Sequence, residues 1–144
     1  MYRRPESVLV LIHTCQGEVL LLQRVDAPEF WQSVTGGLEA DEKPATTAVR
    51  ELFEETGIRA TLDDGLIDHQ CSSVFEIAGV WRKRYHPDHI YNREHLFSVQ
   101  LESRVAVNIN VREHLDSVWL SGEEAIERAT SATNKQAIKD IVRV

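Results

Sequence analysis

The chain has 144 residues, 42% of them hydrophobic and 27% charged, with a formal net charge of −7. That is the length of one ordinary domain with a core of its own, and the acidic balance disfavours a general nucleic-acid binder, which needs a basic face. It leaves room for a phosphorylated small molecule, because a bound divalent cation reverses the local sign of charge.

The opening, MYRRPESVLVLIHT, is charged and leads into a short apolar run. It does not read as a signal peptide, and no stretch approaches the roughly 20 apolar residues of a membrane span. A cytoplasmic protein is the expectation. Residues 8–12 form a continuous apolar, β-branched run and predict a buried strand. After the turn Gln16-Gly17-Glu18, residues 19–23 predict its hairpin partner. Asp26-Ala27-Pro28 breaks the pattern, and residues 31–34 predict a short strand ending at Gly36-Gly37. Cys15 and Cys71 have no CxxC spacing and sit in apolar strand-like runs, so they are expected to be small buried thiols.

Pro44 suits the first turn of a helix, where its missing N–H costs nothing. Ala45, Ala48, Val49, Leu52 and Phe53 recur at helical spacing, and Gly57 is a good stop, so the prediction is a helix over 44–56. Residues 58–62, 66–77 and 96–101 predict strands, separated by a polar, aromatic, proline-containing loop at 81–94. Another short strand is expected at 117–120, a helix capped by Ser121 at about 122–129, and a last helix at about 133–142. There is no repeat, linker or low-complexity segment. The expected class is α+β, a sheet covered by helices, in one domain over 1–144.

The stretch Arg50-Glu51-Leu52-Phe53-Glu54-Glu55-Thr56-Gly57 raises an electrostatic question. Glu51, Glu54 and Glu55 stand at i, i+3 and i+4, so they share one face of the predicted helix. A solvated acidic face is the plain alternative. Against it, the cluster lies at the helix C-terminus, where the macrodipole disfavours carboxylates, and only Arg50 and Arg59 are at hand to neutralise it. A divalent cation with oxygen ligands, Mg²⁺ or Mn²⁺, would relieve the repulsion.

Upstream, Gly36 is followed by five residues and Glu42, then seven residues and Arg50-Glu51-Leu52, one residue and Glu54-Glu55, one residue and Gly57-Ile58. This resembles the Nudix box at every defined position. Asp41 stands where a glycine often precedes the box glutamate, at a position the box leaves undefined. The resemblance implies a Nudix hydrolase, cleaving a nucleoside diphosphate linked to another moiety by Mg²⁺-assisted attack of water on phosphorus. It also implies an α/β/α sandwich around a mixed sheet, with the box as loop, helix and loop. By the same resemblance Glu51 and Glu55 are metal ligands, Glu54 is a further ligand directly or through water, and Gly36 offers a carbonyl. Arg50 orients a glutamate, with Glu42 or Glu54 as its partner. A free carboxylate then takes the water's proton.

Outside the box, Tyr2-Arg3-Arg4-Pro5, FWQSVTG over 30–36, Arg112-Glu113-His114-Leu115 and SATNKQ over 131–136 are similar to the bacterial branch of the family that removes pyrophosphate from dihydroneopterin triphosphate, an early step of folate synthesis, and that is described also for dATP. This implies substrate contacts at Arg3, Arg24 and Thr35, a heterocycle slot lined by Phe75, Glu76, Ile77 and Ala78 and reached by Ser131, and a role for Glu113 in substrate contact, the metal site or proton transfer. With Arg50, Glu54 and Glu55, Glu113 completes the expected catalytic set. Core packing is an even rival for Phe75 and Ile77, and Trp31, Trp81 and Trp119 read as core or rim aromatics. His114 reads as a solvated histidine. The basic run Arg82-Lys83-Arg84 either gathers anionic substrate or is a solvated loop. The expected partner is a phosphorylated small molecule, with no nucleic acid, membrane or obligate protein partner. Two other readings stay open: a general (d)NTP pyrophosphatase that cleans nucleotide pools, and a nucleotide-sensing domain without catalysis.

Overall fold

A run of apolar residues without polar alternation belongs to a strand covered on both faces. In the computed structural model, which describes residues 1–142, Val8, Leu9, Val10, Leu11 and Ile12 are each at most 2% exposed. They lie in β1 (Glu6–Thr14), which a tight turn connects to β2 (Glu18–Arg24). These two strands pair at the turn end, His13 with Val19, and then splay apart. The segment 31–37 enters the gap. Its first part, β3 (Trp31–Gln32), pairs with β2, and its second, β4 (Val34–Gly37), pairs with β1 from Val10 opposite Val34 to Ser7 opposite Gly37.

The change of partner falls at Ser33, whose backbone has left one ladder and not yet joined the next. Asn134, fully buried, repairs this: its Oδ1 accepts from the Ser33 N–H at 2.7 Å and its Nδ2 donates to the Ser33 hydroxyl at 2.9 Å. A buried backbone N–H without such an acceptor costs about 1–3 kcal/mol. Thr130 braces the neighbouring residue, accepting from the Trp31 N–H and donating its own N–H to the Trp31 carbonyl, both at 2.9 Å.

The remaining strands are β5 (Leu66–Glu76), β6 (Tyr91–Leu101) and β7 (His114–Ser121). β6 runs parallel to β1 along its whole length, β5 is antiparallel to β6, and β7 is antiparallel to β2, so the sheet is mixed. Alternate residues of β1 feed two cores. Val8, Val10 and Ile12 join Ala48 and Leu52 of α1 (Pro44–Thr56), while Leu9 and Leu11 meet Ala125 of α2 (Gly122–Arg128) and Ile138 of α3 (Ala132–Ile141). The result is the expected α/β/α sandwich. Fully burying Leu52 alone is worth about 1.5–3 kcal/mol.

The helix ends follow their local chemistry. Pro44 opens α1, and Gly57 closes it at φ 79°, donating to the Phe53 carbonyl at 2.8 Å. Ser121 and Glu124 form a reciprocal capping box on α2, and Ser131 caps α3 by accepting from the Asn134 N–H.

Four expectations are corrected. Residues 58–62 are not a strand: Ile58 and Ala60 pack into the α1-side core, but Asp63-Asp64-Gly65 turns the chain back and Thr61 bonds to Asp64. The polar stretch 81–94 is not all loop: Gly79–Arg84 is a 3₁₀ turn, and residues 91–94 already belong to β6, held by backbone pairing to β1 and β5. Cys15 and Cys71 are exposed, Cys15 in the turn after β1 and Cys71 at the irregularity between Asp68 and Ser72 in β5. His114 is buried, and the next subsection shows why.

Candidate active site

The loop from Gly36 to Lys43 and the last two turns of α1 build the site around Arg50. Its guanidinium grips Glu42 in a fork, Nε to Oε2 at 2.9 Å and a terminal nitrogen to Oε1 at 2.8 Å. Of the two partners expected for this arginine, Glu42 is therefore the bidentate one. The other terminal nitrogen reaches Glu51 at 2.8 Å and Glu54 at 3.3 Å. Glu42 also accepts from the Thr47 hydroxyl at 2.6 Å and from the Glu39 N–H at 3.1 Å. Mainly through the Arg50 hydrogen bonds, its carboxyl is lowered to about 2, which fixes the loop onto the helix. Asp41 is outside the left-handed region, so the glycine often found there has no conformational duty in this chain.

Glu51 lies against the backbone of Gly36. A Cβ at position 36 would come within 2.1 Å of the Glu51 carboxyl carbon, so a larger residue would force Glu51 or the loop to move. Burial pushes the Glu51 carboxyl up to about 7; Arg50 opposes this, while Glu55 and Glu54 add to it. The acidic stripe thus resolves into distinct environments: Glu51 and Glu55 are buried and Glu54 is exposed.

Glu55 faces the start of β7. Its Oε2 stands 2.5 Å from His114 Nδ1, and neither atom makes a well-oriented hydrogen bond to any described residue. One ligand atom each from Glu55, Glu113 and His114 lies within 4.8 Å of the others. The hydrogen bond to Glu55 and burial raise the Glu113 carboxyl above its ordinary value, with the Glu55 charge acting in the same direction. Two carboxyls so close favour sharing one proton or a cation. A buried carboxylate oxygen without a donor, beside a second carboxylate, fits a hard divalent cation. Glu51, also expected as a ligand, accepts from Arg50 at 2.8 Å and is not one of these three residues.

An open cavity of about 770 Å³ spreads from these acids. One wall carries Glu51, Glu54 and Glu113, and the rest is rich in arginine: Arg3, Arg24, Arg84 and Arg112 as well as Arg4 and Arg50. Asp26, which the sequence reading took only as a chain break, organises the basic rim. It accepts two hydrogen bonds from Arg24 at 2.7 Å, one from the Trp81 indole at 3.0 Å and one from Arg84 at 3.3 Å. The Arg24 bonds in particular hold its carboxyl far below the usual carboxylate range. Arg24 also stacks over Trp81, 4.5 Å from the ring centre. The N-terminal arm closes this side, with the Arg3 N–H donating to the Arg84 carbonyl at 2.8 Å.

Of the expected site residues, Arg3, Arg24, Thr35, Gly36, Arg50, Glu51, Glu54 and Glu113 line this one cavity, and Glu55 backs it. Phe75, Glu76, Ile77 and Ala78 do not. They stand at the end of β5 and just beyond it, with Phe75 opposite Asn92 on β6. Ser131 also lies outside, as the cap of α3. Trp31 and Trp119 pack against the two cores, as rim aromatics. The sequence reading missed Asp26, His114 and Arg112. Asp26 had one signal, its place two residues after Arg24; the other two are brought in by β7 pairing with β2.

Comparison with known proteins shows which family the chain is similar to. A profile described as the NUDIX domain matches residues 3–141. Dihydroneopterin triphosphate diphosphatase from Haemophilus influenzae is 41% identical over 140 residues, covering 96% of this chain and 87% of that protein. The solved structure of the E. coli dihydroneopterin triphosphate pyrophosphohydrolase superposes with a TM-score of 0.91 at 39% identity, over 99% of this chain and 97% of that one. A Nudix hydrolase structure from Listeria monocytogenes superposes with a TM-score of 0.78 at 25% identity, over 96% and 92%.

Proposed function

The chain belongs to the NUDIX family of pyrophosphohydrolases, and on that premise we propose that it hydrolyses dihydroneopterin triphosphate to the monophosphate and pyrophosphate, with Mg²⁺ as the metal and Mn²⁺ as its substitute. The observation that carries this reading is the cavity itself, acidic on one wall and arginine-rich on the others, joined to near full-length similarity to proteins named for that substrate.

The residues divide the work. Arg3, Arg24, Arg84 and Arg112 face a polyanion from the basic side, where fork-shaped guanidinium groups match phosphate oxygens. Asp26 keeps Arg24 and Arg84 from collapsing onto the acidic wall. Arg50 holds the loop, Glu51 and Glu54 in register. Glu55, Glu113 and His114 would hold the divalent cation, with Glu54 and Glu51 at its margin. When bound, that cation neutralises phosphate charge and acidifies a water molecule. The water's oxygen bonds to phosphorus as the anhydride bond breaks, pyrophosphate leaves with the bond's electron pair, and the water's proton passes to a carboxylate. Glu113 is placed for that last role, lining the cavity beside Glu55.

The test is turnover of dihydroneopterin triphosphate against dATP with Mg²⁺, with products identified. A clear preference for dATP would sink the pterin assignment in favour of a general (d)NTP pyrophosphatase. In the same assay Glu113→Gln is expected to lower kcat by about 100-fold or more with a smaller change in KM. An unchanged rate would remove Glu113 from proton transfer.

A further inference from the structure

The arginines that line the cavity differ in what holds them. Arg50 grips Glu42 and reaches Glu51 and Glu54. Arg4 donates to Glu6 at 2.7 Å and to the Glu42 carbonyl at 3.1 Å. Arg24 and Arg84 share Asp26, whose carboxylate compensates one of their two charges. All four are half-buried. Arg3 and Arg112 are exposed, and among the described residues neither guanidinium has a hydrogen-bond acceptor or a carboxylate partner. The sequence pointed to Arg3 and passed over Arg112.

The backbone around Arg112 is fixed, although its side chain is not. Its own N–H donates to the Asn110 side-chain oxygen at 3.1 Å. The N–H groups of Glu113 and His114 donate to the Asn110 carbonyl at 3.0 and 2.9 Å. The Glu113 carbonyl accepts from the Val25 N–H at 2.9 Å, and the Asn108 N–H donates to the Thr56 carbonyl at the end of α1, also at 2.9 Å. The turn that brings Glu113 and His114 to Glu55 therefore delivers Arg112 with them. Only the side chain is left to be ordered on binding, which keeps the entropic cost of a contact small. Backbone and side-chain bonds also set its place on the basic wall. The Arg3 N–H on the Arg84 carbonyl, Arg84 and Arg24 on Asp26, and Val25 on Glu113 form one row from the N-terminal arm to the acids. Arg112 stands at the acid end of that row, one residue before Glu113.

We propose that Arg112 is a further catalytic residue, a guanidinium that binds the pyrophosphate half of the substrate and stabilises the charge arriving there as the anhydride bond breaks. As the water's oxygen bonds to phosphorus, the electron pair of the anhydride bond departs with pyrophosphate, and negative charge builds on that half. A guanidinium already compensated by a carboxylate gains less from this charge than one that is not. Its fork matches two phosphate oxygens. A fixed donor facing charge that develops during the reaction speeds the chemical step as well as tightening binding. The inference rests on the pyrophosphohydrolase reading above. It does not depend on the heterocycle, because dihydroneopterin triphosphate and dATP release the same pyrophosphate.

The experiment measures turnover of both substrates, and competition by inorganic pyrophosphate and by dAMP, at fixed free Mg²⁺ for the wild type, Arg112→Ala and Arg112→Lys. R112A is expected to lower kcat about tenfold or more on both substrates and to raise the pyrophosphate inhibition constant about tenfold or more, with the dAMP constant within about twofold. R112K should regain part of the pyrophosphate affinity and less of kcat, since it restores the charge without the fork. It carries the test if R112A does not fold. A solvated arginine that only steers anions gives a different pattern. Its loss would raise KM alone, weaken pyrophosphate and dAMP equally, and fade at about 0.5 M KCl, where exposed charges are screened within a few ångströms. That pattern overturns the proposal, and so do unchanged kinetics in R112A. Weakened dAMP competition with pyrophosphate unaffected overturns it as well, because Arg112 would then hold the other half. If the wild type prefers dATP, the pterin assignment falls and the pyrophosphate-to-dAMP comparison still decides Arg112. If dihydroneopterin triphosphate is the best substrate and R112A matches the wild type, the assignment stands and Arg112 leaves the mechanism.

Discussion

At the scale of single residues the site is a set of charges that are each tolerable only because of a neighbour. Glu42 and Arg50 settle one another by a fork, whereas Glu55 keeps a buried oxygen with no hydrogen-bond donor among the described residues. Glu55→Gln is therefore expected to lower kcat by at least about 100-fold while the fold is kept. Activity with Mg²⁺ and a thermal melt on the same sample check both halves; wild-type turnover would refute the metal role. Gly36→Ala tests the packing side. The new Cβ would fall 2.1 Å from the Glu51 carboxyl carbon, so Glu51 must leave Arg50 or the loop must shift. A loss of about 1–3 kcal/mol in urea unfolding is expected, with reduced turnover. Gly36, Glu42, Arg50, Glu51, Glu54 and Glu55 were all legible in the sequence because their spacing is local to one loop and one helix. His114 was not, because a lone histidine next to a glutamate carries no sign of what will cover it.

At the scale of elements, the break in the strand over 31–37 positions the substrate wall. Because the chain trades β2 for β1 at Ser33, Thr35 and Gly37 line the cavity from within the β4–β1 ladder. SATNKQ, a motif quoted for its likeness to relatives, has a structural explanation here: Ser131 caps α3, Asn134 ties Ser33, and Lys135 donates to the carbonyls of Ile126 and Glu127 at the end of α2. Asn134→Ala should cost about 1–3 kcal/mol in denaturant unfolding, because the buried Ser33 N–H loses its acceptor. It should also raise KM through Thr35, and an unchanged unfolding midpoint would contradict the clamp. Residues 44–56 were readable as a helix from proline, periodicity and glycine, all local signals. Residues 91–94 were not readable as strand. Their polar side chains, Asn92 and Glu94 among them, are tolerated in β6 because partners on β1 and α3 meet them.

At the scale of the whole molecule, the two faces of the sheet are loaded differently. The α1 side carries the box, and the α3 side carries a carboxyl raised by burial. The pH dependence follows with its sign. The ordinary value for Glu94 is 4.5 and the folded value about 7, so between these the folded chain holds more protons than the unfolded one. Stability therefore declines across that window as pH rises, and the full cost is present above it. Glu94→Gln removes this ionisation. Its Tm is expected to exceed the wild-type value at about pH 8 by a few degrees, at about 2–4 °C per kcal/mol, and to match it near pH 5. Equal melting temperatures at both pH values would contradict the burial cost assigned to Glu94.

The sequence by itself determined the chemistry of the protein. A metal-assisted attack on a phosphoanhydride needs several carboxylates and an arginine at short range, and one loop and one helix supply them at spacings that can be counted along the chain. The order of the main strands and the two-layered covering of β1 were also present, because hydrophobic runs and breaks are local. Only the tertiary structure decided what the site encloses. Pairing of β7 with β2 brings Glu113 and His114 onto Glu55. The ties between residues 3 and 84 and among Arg24, Asp26 and Trp81 raise a basic wall from three distant segments. Parallel pairing of β1 and β6 sets Asn92 against Ser7 and leaves Glu94 to Thr133 of α3. These are contacts between residues tens of positions apart, and burial, which sets both their cost and their use, belongs to no single stretch of the chain.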